Sequence, residues 1–201
     1  ERLDAMYARG VRLITLTWNH ENSLGFPNKT ASDKGLKPFG IEALARMNEL
    51  GIIADSSHMS DAGFWDLVKY SKKPFVASHS DAKALCNIYR NLTDDMLRAL
   101  ASKGGVTGLN FEADFLVEGA KYTRVEDLVR HARHIADVAG VETVALGSDF
   151  DGISETPEGL ATAADFPRVL EELARRGYTQ AQLEKIAGLN LYRVLRETDR
   201  G

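Results

Sequence analysis

Two stretches decide the fold: residues 51–58 read GIIADSSH, and residues 74–80 read PFVASHS. Each is short and mostly apolar until its last few positions, where serine and histidine appear. A continuous apolar run suits a parallel strand that is buried on both faces. The two stretches therefore predict neighbouring parallel strands whose polar ends follow one another along the chain.

The same pattern extends outward in both directions. Apolar, β-branched runs recur at residues 11–18, 105–111 and 143–150, and amphipathic segments separate them. Strand–helix alternation of this kind predicts an α/β fold with a parallel sheet. Capping residues and glycines delimit the helices. The predicted helices are Ile41–Leu50, Asp61–Tyr70 after Ser60, one beginning after Thr93 and ending near Gly104, Val125–Ala139 before Gly140, and one from the Thr179/Gln182 capping box to Ala187.

Two architectures fit this alternation, a (β/α)8 barrel and an open doubly wound sheet. Five strands alone would suit the open sheet. However, no strand leads into a glycine-rich phosphate loop, and Gly104-Gly105 precedes a strand instead of following one. Polar residues stand at the carboxyl ends of successive strands, where barrel enzymes carry their chemistry. The pattern favours a (β/α)8 barrel of which this chain holds about five strands.

The composition limits the classes of function that this chain can have. The 201 residues carry a net charge of −4 and are 44% hydrophobic, which predicts one domain over residues 1–201. No basic stripe indicates nucleic acid, and no apolar run is long enough for a transmembrane helix. Cys86 is the only cysteine, which weakly favours a reducing, cytoplasmic compartment. Residues 3–9 resemble the middle of a helix, so we expect N-terminal strands upstream of this chain.

His58 and His79 are the first candidates for chemistry. Each closes a predicted strand, and one helix separates the two strands. In a barrel this spacing puts two imidazoles side by side at one rim, and imidazole nitrogen is a good zinc ligand. The alternative is that each histidine bonds a loop carbonyl, and the spacing alone leaves the two readings about equal.

Asp149 and Arg90 are the second pair of candidates. In Gly147-Ser148-Asp149-Phe150-Asp151-Gly152, one of the two acids can face the barrel mouth, and we single out Asp149 as a ligand or proton carrier. The alternative is a plain Asp–Gly turn, which fits Asp151. Arg90 can clamp a carboxylate in bidentate fashion, although a solvated surface arginine is the commoner outcome.

Three other features do not by themselves predict a functional role. His131 and His134 have metal-ligand spacing, but they lie on a predicted outer helix and are expected to be partly exposed packing residues. Cys86 is expected to be a small buried residue. The polar loop at residues 19–37 fits a binding loop and a surface excursion equally well.

Several motifs together resemble the renal (membrane) dipeptidase family, peptidase family M19. They fall in the family's order along nearly the whole chain, and the 21-residue separation of His58 and His79 matches the family's spacing. The motifs are Ile14-Thr15-Leu16-Thr17, Gly35-Leu36-x-Pro38-Phe39-Gly40, Asp55-x-x-His58-x-Ser60, Ser78-His79-Ser80, Arg90-Asn91, Gly147-x-Asp149-Phe150-Asp151-Gly152 and Gly188-x-Asn190-x-x-Arg193-Val194.

The resemblance implies a (β/α)8 metallodipeptidase with two zinc ions and commonly a homodimer. By it, His58 and His79 hold one zinc and Arg90 holds the substrate carboxylate. Asp149 contacts the substrate and protonates the leaving amine after a metal-activated hydroxide has attacked the dipeptide carbonyl.

The chain departs from the family pattern in two respects. The His-x-Asp pair that binds the other zinc and the bridging Glu are absent, so this chain alone is expected to bind zinc weakly and to lack activity. Trp18 stands where some members have a substrate-binding histidine, and His20 follows two residues later. The second difference bears on substrate preference more than on reaction type.

Two rival functions remain open. One is another amidohydrolase-like barrel enzyme that acts on a cyclic amide or a lactone, for which Arg90 would not matter. The other is a non-catalytic barrel remnant that pairs through its exposed strand edges.

Overall fold

A computed structural model describes residues 1–199 of the chain, so the last two residues of the predicted domain lie outside the description. The strands are β1 (Leu13–Thr15), β2 (Ile53–Asp55), β3 (Val76–Ala77), β4 (Val106–Asn110) and β5 (Val144–Ser148). The helices are α1 (Arg2–Ala8), α2 (Pro38–Leu50), α3 (Asp61–Tyr70), α4 (Asp94–Ser102), α5 (Ala113–Leu116), α6 (Val125–Ala139), α7 (Phe166–Arg175), α8 (Gln180–Glu184) and α9 (Asn190–Thr198).

The five strands form one parallel sheet in the order β1-β2-β3-β4-β5. Every strand pairs with its neighbour in sequence. An open doubly wound sheet reverses its strand order at a switch point, whereas a barrel adds each strand beside the last. The sequential order therefore confirms the barrel-type α/β fold and argues against the open sheet.

The side chains of consecutive strand residues point to opposite faces of this sheet, as strand geometry requires. One face joins the main core, in which Ile52, Ala54 and Ala77 pack with the helices. The other face forms a smaller cluster in which Val194 of α9 packs on β2–β5. The strand residues of that cluster are Ile53, Val76, Val106 and Ala145. Burial on both faces explains why the strands are continuous apolar runs.

Local signals located the helices well. Ser60 caps α3 through Gly63 N, Thr93 caps α4 through Met96 N, and Thr179 forms the capping box of α8 with Gln182, as predicted. The helix predicted to run to Ala187 ends at Glu184, where a π-helical turn, Lys185–Leu189, continues it. Helices α5 and α7 were not predicted from the sequence.

The strands are shorter than the apolar runs predicted. β2 ends at Asp55 and β3 ends at Ala77, so His58 and His79 follow their strands by three and two residues. Among residues 1–199, no helix is long and apolar enough to cross a membrane.

Candidate metal and substrate site

The carboxyl ends of β2 and β3 bring His58 and His79 together. Their Nε2 atoms lie 3.0 Å apart, and the two rings meet edge to face with centroids 5.0 Å apart. Because both strands run in the same direction, their ends reach the same rim of the sheet. His58 has a left-handed backbone, with a φ of 70°, which is uncommon for a residue other than glycine.

Asp55 supports this rim from inside the protein. It is completely buried, and its two carboxylate oxygens accept four hydrogen bonds. Oδ1 accepts from the backbone N–H groups of Ser57 and Ser78 at 3.0 and 2.8 Å. Oδ2 accepts from the hydroxyls of Thr15 and Ser78 at 2.7 and 2.6 Å. One carboxylate thereby ties β1, β2 and the end of β3 together.

Arg90 lies beside the histidines, in the segment that links β3 to α4. Its Nη2 is 3.1 Å from His58 Nε2, and its guanidinium stacks over the Phe115 ring at 5.5 Å. The residue is only 4% exposed, which contradicts the alternative of a solvated surface arginine. Its buried Nη1 has no partner among the described residues, and burial lowers the pKa of the guanidinium. An unpaired buried cation of this kind is suited to an anionic ligand.

Asn91 fixes the chain next to Arg90. Its side-chain Nδ2 donates to the carbonyls of Cys86 and Phe115 at 3.0 and 2.8 Å, and its Oδ1 accepts from Asp81 N at 3.3 Å. Cys86 is buried, as expected. These bonds tie the Arg90 segment to α5.

Asp149 completes the cluster from β5. Its Oδ2 lies 3.8 Å from His79 Nε2 and accepts a hydrogen bond of 3.0 Å from Asn110 Nδ2. Asp149 and Ser148 both have left-handed backbones, with φ values of 74° and 54°. This turn directs the side chain toward the histidines. Asp151 is exposed in the following turn.

Asn110 was missed by the sequence reasoning. It is fully buried at the end of β4, where a register shift interrupts the pairing with β5. Its Oδ1 accepts from Glu112 N at 2.8 Å, so its amide can only point Nδ2 toward Asp149. The sequence signal for its functional role is its position, since Asn110 is the polar residue that ends the mostly apolar run Val106–Asn110. Asp55 was likewise missed as a functional residue and carried the same signal.

The protein environment keeps both imidazoles neutral. Burial, Arg90 and His79 together lower the pKa of His58 to about 3. Burial and Arg90 also lower the pKa of His79, although Asp149 and Asp55 oppose them. Neutral imidazoles keep the lone pairs that a metal ion requires, so the pair fits the donor set of a divalent metal. His58 and His79 can supply two ligands; among residues 1–199 no group of three or more His, Cys, Asp or Glu forms a metal site.

Two adjoining cavities open at this cluster and share Trp18, His58 and Asp149. One has a volume of about 440 Å³ and also contacts His79 and the end of β1. The other, about 320 Å³, also contacts Arg90, Lys29 and Glu112. Trp18 is 65% exposed at the rim between them, whereas the exposed His20 lines neither cavity. Lys29 brings part of the loop at residues 19–37 to the site.

His131 corrects the expectation of a partly exposed packing residue. It is 1% exposed, and its Nδ1 accepts from Ala82 N at 3.1 Å while Nε2 lies 2.9 Å from the Leu116 carbonyl. Burial lowers its pKa to about 4. It therefore joins α6 to the segment after His79 as a neutral side chain. His134 is partly exposed, as expected, and its Nε2 is 2.7 Å from Asp94 Oδ1.

Comparison with known proteins places the chain in context. A family model described as membrane dipeptidase (peptidase family M19) matches residues 1–200. An uncharacterized protein in the pqqA 5′ region of Klebsiella pneumoniae is 41% identical over 96% of this chain and 74% of its own length. An uncharacterized dipeptidase of Schizosaccharomyces pombe is 39% identical over 96% of this chain and 48% of its own length.

A solved structure agrees with these matches. The metallo peptidase from Rhodobacter sphaeroides, liganded with a phosphinate mimic of the dipeptide L-Ala-D-Ala, superposes with a TM-score of 0.90 at 32% identity. The match covers 98% of this chain and 59% of that one. This chain thus spans between about half and three quarters of the length of these relatives.

Proposed function

The chain belongs to the membrane dipeptidase family, and from this premise we propose that it forms the substrate-carboxylate side of a metal-dependent dipeptidase site. The observation that carries the proposal is Arg90, a buried guanidinium with a free Nη1 beside a histidine pair and an acid. The substrate class is a small peptide with a free carboxylate. The Rhodobacter relative, which is liganded with a dipeptide mimic, supports the same class.

We propose that the metal is zinc. Two ions follow from the family resemblance, and His58 and His79 would hold one of them. When bound, zinc lowers the pKa of water and stabilises the developing negative charge on the carbonyl oxygen. The lowered pKa values of both histidines support the proposal, since neutral imidazoles can bind a cation at neutral pH.

The remaining steps belong to residues of this chain. Arg90 would bind the carboxylate of the C-terminal residue and set the distance of the scissile bond from the histidine pair. Asp149 would carry the proton that the leaving amine nitrogen takes up when the C–N bond breaks. Asn110 donates to Asp149 Oδ2, the oxygen that faces His79, and so holds the carboxylate in this position.

Comparison of Ala-Ala with its C-terminal amide tests the proposal in a zinc-loaded protein that contains the whole metal site, because this chain alone is expected to lack activity. We expect Arg90→Met to raise KM for Ala-Ala by about 10- to 100-fold, the effect of losing a charge-assisted hydrogen bond of about 1.5–3 kcal/mol. Hydrolysis of the amide, which lacks the carboxylate, should change little. Arg98→Met is the matched control, because Arg98 is an exposed arginine on α4 paired with Asp95.

An unchanged KM for Ala-Ala in Arg90→Met would contradict the proposal. Zinc-dependent turnover of cyclic amides or lactones, with no turnover of dipeptides, would instead favour the amidohydrolase-like alternative.

A further inference from the structure

The single proton of the Ser78 hydroxyl has a fixed direction. Ser78 Oγ lies 2.6 Å from Asp55 Oδ2 and 2.7 Å from His79 Nδ1. Asp55 is a carboxylate that accepts four hydrogen bonds, so it can only accept from Ser78. The hydroxyl proton must therefore point toward Asp55, and Ser78 Oγ presents a lone pair to the imidazole.

This direction determines the tautomer of His79. Because Ser78 Oγ accepts on that side, Nδ1 of the neutral imidazole must carry the proton. The lone pair of His79 is then on Nε2, the atom that lies 3.0 Å from His58 Nε2.

His58 presents a second lone pair at the same point. Its Nε2 lies 3.1 Å from Arg90 Nη2, and a guanidinium can only donate, so His58 Nε2 accepts. Neither Nε2 then carries a proton, so neither can donate to the other across their separation of 3.0 Å. The orientation is therefore suited to a metal ion and unsuited to an imidazole–imidazole hydrogen bond.

We propose that Asp55 and Ser78 form a positioning relay that holds His79 in the Nδ1–H tautomer, so that Nε2 is ready to bind the metal. This inference rests on the proposed function only in taking His79 as a metal ligand. Carboxylates commonly orient metal-binding histidines directly. Here a serine hydroxyl stands between them, and the buried carboxylate also ties β1 and β2 to the same point.

The first test is the tautomer in the metal-free protein. Long-range ¹H–¹⁵N correlation spectra distinguish the two nitrogens of His79, and we expect the proton on Nδ1. Asp55→Asn should reverse the relay: the amide donates to Ser78 Oγ, the hydroxyl turns to donate to Nδ1, and the proton moves to Nε2. A wild-type His79 protonated on Nε2 would overturn the proposal without any variant.

The second test is zinc affinity, measured with a chromophoric chelator as competitor. We expect Ser78→Ala and Asp55→Asn to weaken zinc binding by about 10- to 100-fold, as is usual for outer-shell partners of a metal ligand. Ser56→Ala is the matched control, because Ser56 is a buried serine directly after β2 whose hydroxyl donates to the Val76 carbonyl. Equal zinc affinity in Ser78→Ala and Ser56→Ala would overturn the relay.

These readouts separate the relay from the dipeptidase proposal. The expected tautomer and zinc affinities, together with absent dipeptide hydrolysis, would contradict the proposed function and support the relay. Dipeptide hydrolysis with unaltered zinc binding in Ser78→Ala would do the reverse. If a variant does not fold, the wild-type tautomer alone decides.

Discussion

Strained backbone marks the site at the scale of single residues. The described part of the chain has three residues other than glycine with positive φ, namely His58, Ser148 and Asp149, and all three lie at the cluster. Such conformations cost of order 1–3 kcal/mol each and persist only where the surroundings enforce them. The hydrogen bonds of Asp55 and Asn110 supply part of that enforcement. The protein gives up some stability here to aim two functional side chains.

The bond from Asn110 to Asp149 should matter for turnover more than for binding. In Asn110→Ala, Asp149 loses the donor that fixes Oδ2, so the carboxylate can rotate away from the reacting nitrogen. We expect kcat for Ala-Ala to fall about 10- to 100-fold and KM to change little. Steady-state kinetics of a zinc-loaded protein that contains the whole metal site measure both.

Asn190→Ala provides the control for Asn110. Asn190 is also a buried asparagine, but its Nδ2 donates to the carbonyls of Val141 and Val144, away from the cluster. Asn190→Ala should lower the free energy of unfolding and leave kcat unchanged. A comparable loss of kcat in both variants would show that buried amides act through general stability alone.

Strand ends and the glycines beside them matter at the scale of elements. Gly108 of β4 and Gly147 of β5 both face the Ser78 carbonyl. A Cβ at either position would lie about 2.1–2.2 Å from that oxygen, far inside van der Waals contact. Only glycine allows the backbone after β3 to approach β4 and β5 this closely. The position of the His79 segment thus depends on the absence of a side chain at Gly108 and at Gly147.

Gly147→Ala should consequently disturb both folding and the site. The added methyl group pushes on Ser78, so we expect a loss of about 1–3 kcal/mol in the free energy of unfolding and weaker zinc binding. Urea unfolding and chelator competition measure the two effects. Gly25→Ala is the control, because its Cβ would meet Leu36 and Gly35 at ordinary contact distances of 3.4–3.5 Å. Full zinc affinity in Gly147→Ala would disprove the coupling.

The elements also differ in how well the sequence predicts them. Caps at Ser60, Thr93 and Thr179 were predicted because a cap depends on residues within one turn. The strand order and the shared rim of His58 and His79 were predicted because burial pattern and strand polarity determine them. The ends of β2 and β3, the helix α7 and the bonds of Asp55 and Asn110 depend on distant partners. One sequence does not display those partners.

Buried histidines give the whole molecule a dependence on pH. His131 has a pKa of about 4 in the folded protein, against 6.5 for the free side chain. Between pH 4 and pH 6.5 the unfolded chain therefore binds more protons than the folded protein does. The contribution of neutral His131 to stability is complete above pH 6.5 and is lost as the pH falls toward 4. The cause is burial, since the α6 face that carries His131 is covered by the segments that carry Ala82 and Leu116.

His131→Gln should reduce this pH dependence. We expect the free energy of unfolding of the wild type to drop by about 2 kcal/mol more than that of the variant between pH 7.5 and pH 5. Urea titrations at the two pH values measure the difference. His58 and His79 titrate in both proteins, so their contributions cancel. An equal drop in wild type and variant would assign the pH dependence to other groups.

The sequential strand order also bears on how the chain folds while it is being synthesised. Each strand pairs with the one made just before it, so the sheet can grow while the chain is still being made. Asp149 follows His58 by 91 residues, which at usual translation rates corresponds to roughly 5–20 s. The histidine pair and Arg90 therefore leave the ribosome well before the residue assigned to proton transfer. Under the proposed function, the nascent chain contains the histidine pair and Arg90 before it contains Asp149, so hydrolysis is the last capability to be completed.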